Sequence, residues 1–182
     1  MSLAERDHWL SFLPWPQALL GHVLLARGDL VGAEACLGQS FARACQIGDP
    51  CWEGISARGL ALVAEADGRT AEAFDTLLDA RSRASRVADP YVWLDVHVLD
   101  ALCTLGRAHE HPMTREWVDA MRERASRTGM RELTVRALLH SSALGDAGES
   151  GGSRKSGDAG DGEAAALLAA EVDNDVLAAL LP

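Results

Sequence analysis

Apolar residues recur along most of this chain at the three- and four-residue spacing of amphipathic helices. In the segment from Pro16 to Arg27, for example, Leu20, Val23 and Leu24 follow this spacing. Ala and Leu dominate the composition, whereas β-branched residues are sparse, which favours helices over sheets. The pattern predicts an all-α protein with seven helices at about 16–27, 30–47, 51–66, 70–87, 90–105, 112–127 and 131–144.

The breaks between these predicted helices repeat every 40 residues. A repeat of this length is typical of stacked supersecondary units, which usually present a binding surface. The repeat therefore favours an interaction module over an enzyme. The equivalent positions are Gly28 and Gly68 in one kind of turn, and Asp49-Pro50, Asp89-Pro90 and Gly129-Met130 in the other.

Small residues at fixed positions in each unit resemble the tetratricopeptide repeat, in which they let two antiparallel helices approach closely. The tetratricopeptide unit has about 34 residues, whereas this one has a longer second helix. The resemblance implies an all-α, tetratricopeptide-like antiparallel helix-pair solenoid, with about three 40-residue repeats plus terminal helices. The matching positions are Leu20, Gly21, Leu24, Gly28, Ala33, Leu37 and Ser40 in the first unit, and Leu60, Ala61, Ala64, Gly68, Ala73, Leu77 and Ala80 in the second.

Four segments, 12–21, 49–54, 88–95 and 127–133, resemble the helical-repeat region of large actinobacterial ATPase-type transcriptional regulators, often of the LuxR type. Those proteins combine a nucleotide-binding module, a tetratricopeptide-like sensor and usually a DNA-binding helix-turn-helix. This sequence contains neither a GxxxxGK[ST] loop nor a basic recognition helix. The resemblance therefore implies the sensor or scaffold part alone, either a fragment or a stand-alone relative.

The charge, the lack of long apolar runs and the cysteine pattern argue against nucleic-acid binding, membrane contact and disulfide bonding. The net charge of −10 comes without a basic face, so we expect no direct binding to nucleic acid. No apolar run approaches the ~20 residues that span a bilayer, and no signal peptide is visible, so we expect a cytoplasmic protein without membrane contact. The four cysteines form no CxxC pair and are expected to be free thiols in a reducing compartment.

Residues 145–162 differ from the rest because seven of these eighteen residues are Gly. Such a composition buries too little apolar surface to offset the entropy of ordering. The sequence thus predicts a tetratricopeptide-like repeat domain at 1–144 and a flexible Gly-rich linker at 145–162. The Ala- and Leu-rich residues 163–182 are predicted to form a helical tail that docks as a cap.

The sequence carries only weak signals for catalytic or metal-binding sites. The run His109-Glu110-His111 has ligand-type side chains, but HExxH is absent and a turn would separate the imidazoles. No GxSxG or comparable nucleophile motif occurs. We expect no catalytic residue, no metal and no cofactor; an enzyme of unknown class is the weakest alternative.

The register of the repeat predicts a partner-binding groove on the first helix of each pair. Aromatic residues near the helix starts can anchor a partner there, although they can also fill gaps between repeats, and the polar positions can be a solvated face. The predicted groove residues are Trp15, His22, Arg58, Glu65 and Asp95. We expect a non-catalytic protein–protein interaction or effector-sensing module of a transcriptional regulator. Its partner would be a protein or peptide, including other domains of the same regulator; the sequence defines neither that partner nor the oligomeric state. The alternative is a small-molecule sensor whose groove is closed by the tail.

Overall fold

The computed structural model describes residues 10–88, 90–147, 158–172, 174 and 179–180. These residues form eight α-helices and no strand, which confirms the all-α prediction for the described part of the chain. The helices are α1 (Pro14–Ala26), α2 (Leu30–Ile47), α3 (Pro50–Ala66), α4 (Thr70–Ala84), α5 (Val92–Ala108), α6 (Thr114–Thr128), α7 (Arg131–Ala147) and α8 (Asp158–Ala169).

Local signals in the sequence set several helix ends. The Asp29 carboxylate accepts a hydrogen bond from the Gly32 amide at 2.9 Å, and Asp49 accepts one from the Cys51 amide at 2.9 Å. Both therefore cap the first turn of the helix that follows. Gly48 ends α2 in the left-handed region at φ 69°, where a side chain would be strained. Asp89, the predicted cap of α5, lies outside the described residues.

The 40-residue period of the sequence is also a period of burial. Helices α2 and α4 start 40 residues apart, and the same positions of each face the interior. Each of these residues is at most 1% exposed, so the repeat in the sequence is a repeat of core positions. The pairs are Ala33 and Ala73, Leu37 and Leu77, Ser40 and Ala80, and Ala44 and Ala84.

Two compact units divide the chain, Met1–Val98 and Leu99–Pro182, and α5 runs through the division. The predicted domain at 1–144 thus corresponds to more than one compact unit. In the first unit, α1 packs on α2 and α3, α2 packs on α3, and α3 packs on α4. Each helix contacts its successor, and α1 also contacts the next helix but one.

Glycines in α1 and α3 make room for a leucine of α2. A Cβ atom at Gly21 would lie 2.5 Å from Leu37 Cγ, and one at Gly59 would lie 2.5 Å from Leu37 Cδ2. Leu37 is fully buried between them. A side chain at either glycine would displace Leu37.

In the second unit, α6 packs on α7 and α7 packs on α8. Val135 and Leu138 of α7 form a buried cluster with Ala165 and Ala169 of α8. The buried Asp161 carboxylate of α8 accepts hydrogen bonds from Arg122 at 2.8 Å and from Ser141 at 2.7 Å. A described part of the predicted tail therefore packs on α7.

The helices flanking the predicted linker extend into it. Helix α7 continues to Ala147 instead of ending near residue 144, and α8 begins at Asp158 instead of 163. Residues 148–157, the rest of the predicted linker, lie outside the described residues, as does most of the predicted tail beyond residue 172.

Candidate partner-binding surface

The structure brings the aromatic residues at the starts of α1 and α3 together. The rings of Trp15 and Trp52 are stacked, with centroids 5.9 Å apart and planes 15° apart. Phe12 meets Trp15 edge to face at 5.6 Å. Trp15 is 42% exposed, so this aromatic cluster of Phe12, Trp15 and Trp52 is anchored on α3 and still open to solvent.

His22 lies half-buried on α1, beside Arg58 of α3. Burial, together with the positive charge of Arg58, lowers the pKa of His22 to about 4, although a hydrogen bond with the Ile55 backbone acts in the opposite direction. The imidazole is therefore neutral at pH 7. Of the predicted groove residues, His22 is therefore a half-buried and uncharged ring.

Arg58 connects α3 to the beginning of α5. Its Nε donates a hydrogen bond to the His97 carbonyl oxygen at 3.0 Å, and the His97 ring in turn meets Trp93 edge to face at 6.0 Å. Glu65 lies two turns further along α3 and is also half-buried. Both predicted polar residues are thus partly accessible, and at least Arg58 also joins two helices.

Asp95 has a different environment from the one predicted for it. Its side chain is 10% exposed, and its Oδ1 lies 2.8 Å from Nε of Arg81 on α4. The carboxylate therefore holds α4 against α5 and does not present its charge to a partner. We therefore leave Asp95 out of the predicted groove.

Several large apolar side chains of the first unit that are open to solvent lie on α1 or in the turn just before it. Each of these side chains is between 41% and 50% exposed. We name this set the α1 apolar face: Phe12, Trp15, Leu19, Leu20 and Val23. The signal in the sequence is that α1 has apolar residues over most of its circumference, which is typical of a helix covered on more than one side.

A buried ion-pair cluster between α3 and α4 escaped the sequence analysis. The Glu53 side chain is 5% exposed and pairs with Arg83 at 2.7 Å and with Arg86. Arg83 also stacks over the Phe41 ring at 4.9 Å. The partners are about 30 residues apart in sequence, so no local pattern indicates the pairing. The cluster fastens α2, α3 and α4 together.

A second polar cluster lies in the second unit and joins residues that are one 40-residue period apart in sequence. Asp100 of α5 and His140 of α7 are 40 residues apart, and their side chains are joined by a hydrogen bond of 3.0 Å. Arg107 contacts the other ring nitrogen of His140 at 3.2 Å. The 40-residue separation of Asp100 and His140 equals the period of the sequence, and this separation is the signal in the sequence that relates the two residues.

The histidine-rich turn has a packing role. His111 stacks on Trp117 at 4.7 Å, and its Nδ1 accepts a hydrogen bond from the Met113 amide. In the described ranges, no group of three or more His, Cys, Asp or Glu residues is arranged to hold a metal ion.

The buried thiol of Cys51 is a poor nucleophile at neutral pH. Burial, helped by the negative charge of Asp49, raises the pKa of this thiol to about 11.

The described helices include none that is both long enough and apolar enough to cross a bilayer. Comparison with protein-family models, with curated proteins and with solved structures finds no match to the chain.

Proposed function

We propose that the chain is a non-catalytic, tetratricopeptide-like module that binds an amphipathic helix of a protein partner on the α1 apolar face. In this proposal the 40-residue units are antiparallel helix pairs of a solenoid. The buried register shared by α2 and α4 and the close approach at Gly21 and Gly59 support it. Helix pairs of this kind commonly serve as binding surfaces.

The observation that carries the proposal is the exposure of the α1 apolar face. Outer helices of repeat arrays need a polar outer surface to stay soluble. Here five large apolar side chains on α1 or just before it are each at least two-fifths exposed. Contiguous exposed apolar surface of this kind marks an interaction site.

The pattern of the face favours a helix as the occupant. Trp15, Leu19 and Val23 are four residues apart, so they form a ridge along one side of α1. A partner helix packs against such a ridge through its own residues at i, i+3, i+4 and i+7. The chain's C-terminal helix is not the occupant we choose, because Ala165 and Ala169 already pack on α7.

The wider context is also a proposal. The resemblance of four segments to ATPase-type regulators supports an interaction or effector-sensing role within a cytoplasmic transcriptional regulator. The partner helix then belongs to another domain or subunit of that regulator. Co-purification with a nucleotide-binding or helix-turn-helix protein encoded beside this chain tests that part.

The docking itself is tested with a displayed library of helical peptides selected against the full chain. We expect the selected peptides to share an i, i+3, i+4, i+7 apolar stripe. Labelled peptides should lose at least tenfold in affinity for the Leu19→Asp variant, because a carboxylate would enter the apolar contact. Val31→Asp is the matched control, since Val31 is an exposed apolar residue (82%) on α2.

Two outcomes would contradict the proposal. Peptides that bind Leu19→Asp as tightly as the parent chain place the contact elsewhere. A concentration-dependent dimer, seen by light scattering and abolished by Leu19→Asp, makes the occupant a second copy of the chain instead of a different protein.

A further inference from the structure

The second unit contains an open cavity of about 860 Å³. This volume is within the range of small-molecule sites, which run from about 300 to 1,000 Å³. Helices α5 and α7 and the turn before α6 provide most of its wall. Its lining includes the Asp100, Arg107 and His140 cluster together with Arg115 and Arg136.

The hydrogen-bond roles in this cluster follow from the chemistry of arginine. A guanidinium group has only donors, so the nitrogen of Arg107 must donate to His140 Nδ1. With Nδ1 accepting, the imidazole carries its proton on Nε2 and donates it to Asp100 Oδ1 at 3.0 Å. The His140 side chain is 9% exposed, so the chain from Arg107 through His140 to Asp100 is fixed within the unit.

This arrangement leaves the charge of Arg107 without direct neutralisation by its described partner. Arg136, by contrast, lies 3.2 Å from Glu132 and 3.7 Å from Asp100, so two carboxylates offset its charge. The partner of Arg107 is an uncharged ring nitrogen that orients the guanidinium and uses one of its five N–H donors. The other N–H groups can donate to a ligand in the cavity.

The remaining lining is divided between polar and apolar parts. Arg115 adds a third cation, which is exposed, and Glu110 an exposed carboxylate, whereas Leu139, Leu144 and Leu180 provide apolar wall. A site that offers an oriented guanidinium beside aliphatic side chains matches a ligand with an acidic head and an apolar body.

We propose that this cavity binds a small organic anion, a carboxylate or a phosphate monoester with an aliphatic portion, through Arg107 and Arg115. Arg107 is positioned by the hydrogen-bond chain from His140 to Asp100, and the leucines cover the aliphatic part. The site is independent of helix docking on the α1 apolar face, so failure of either proposal leaves the other standing.

Titration calorimetry of the full chain with octanoate and with 1-octanol tests the site. We expect one saturable octanoate site per chain and at least tenfold weaker binding of the alcohol, because a charge-assisted hydrogen bond is lost. Octyl phosphate in a third titration shows whether phosphate or carboxylate is the better head group; tighter binding of either one supports the proposal.

The variants make the assignment specific. Arg107→Gln should weaken octanoate binding at least tenfold, while Arg127→Gln, an exposed arginine of α6 outside the cavity lining, should leave it unchanged. If Arg107→Gln fails to fold, Arg115→Gln at an exposed position provides the same comparison. Absence of octanoate binding, equal binding of octanol, or affinity unchanged in both cavity variants would overturn the proposal.

Discussion

At the scale of single residues, burial changes the role of several polar side chains in this protein. Asp95 and Glu53 carry charges that usually lie at the surface, yet both side chains are buried. Asp95 pairs with Arg81, and Glu53 pairs with Arg83 and Arg86. A buried ion pair is expensive to break, because the remaining charge is left without its partner. His22 avoids this cost by staying neutral.

Acidification should destabilise the first unit through His22. The pKa of about 4 in the folded protein is below the ordinary value of 6.5, so between these values the unfolded chain binds more protons and stability falls as the pH falls. The loss should reach about 2 kcal/mol by pH 5. Urea denaturation at pH 7 and pH 5, compared between the parent chain and His22→Gln, measures it.

The His22→Gln variant should lose that share of the pH dependence, because its side chain does not titrate. His109→Gln, which alters an exposed histidine, serves as the control and should retain the parent's pH dependence. Identical slopes for the parent and His22→Gln would show that His22 is not the group responsible.

At the scale of the elements, neighbouring helices approach closely where a leucine side chain of one helix packs against a glycine of another. Gly21 and Gly59 enclose Leu37 from two helices, and Gly54 similarly accommodates Leu94, 2.6 Å from the position of an added Cβ. Because Leu37 is confined on both sides, it has little room to adjust. Gly38 of α2, by contrast, has no such neighbour.

Gly21→Ala should destabilise the protein by about 1–3 kcal/mol, because the new methyl group overlaps Leu37. Gly38→Ala is the matched control: Gly38 is also within a helix, and its Cβ would meet nothing within 4 Å. That substitution should be stabilising by roughly 0.5–1 kcal/mol, since alanine loses less backbone entropy. Thermal unfolding of the two variants gives the comparison, and equal effects would mean that the Leu37 contact is not tight.

Leu37 and Leu77 should respond alike to truncation, because they occupy the same register position one period apart and both are fully buried. Leu→Ala at either position should reduce the free energy of unfolding by about 2–5 kcal/mol. Leu78→Ala, one residue further and 44% exposed, should cost at most roughly 0.5 kcal/mol. A small effect at Leu77 with a large one at Leu78 would show that the register is shifted.

At the scale of the whole molecule, the chain combines two compact units with an acidic overall charge. Each unit presents its own candidate binding feature, the α1 apolar face in the first and the cavity beside His140 in the second. The second unit includes residues from the C-terminal part of the chain, held there by small apolar contacts and by the buried Asp161.

Asp161→Asn should loosen α8, because the neutral amide weakens the charge-assisted hydrogen bonds from Arg122 and Ser141. We expect amide hydrogen exchange in residues 158–169 to accelerate about 10- to 100-fold, which corresponds to roughly 1.5–3 kcal/mol. Glu163→Gln, which changes an exposed carboxylate on the same helix, should leave exchange near the parent rate. Unchanged exchange in Asp161→Asn would mean that apolar packing alone holds α8.

The sequence by itself determined the helices and their period. Apolar spacing, the Asp29 and Asp49 caps and the glycine-containing turns are local signals, and α2 begins and ends at the predicted residues. The shared burial of Leu37 and Leu77 follows from the same 40-residue period.

Only the tertiary structure decided which sides of those helices are covered. Periodicity identifies an apolar stripe but not its neighbour. Leu20 and Val23 have the spacing of an apolar helix face yet are each more than two-fifths exposed, whereas Asp95 was predicted to face a partner and is buried against Arg81. The cavity beside His140 is equally a product of tertiary packing, because residues from several helices and turns form its wall. Burial and pairing depend on residues far apart in sequence, and local spacing does not specify those contacts.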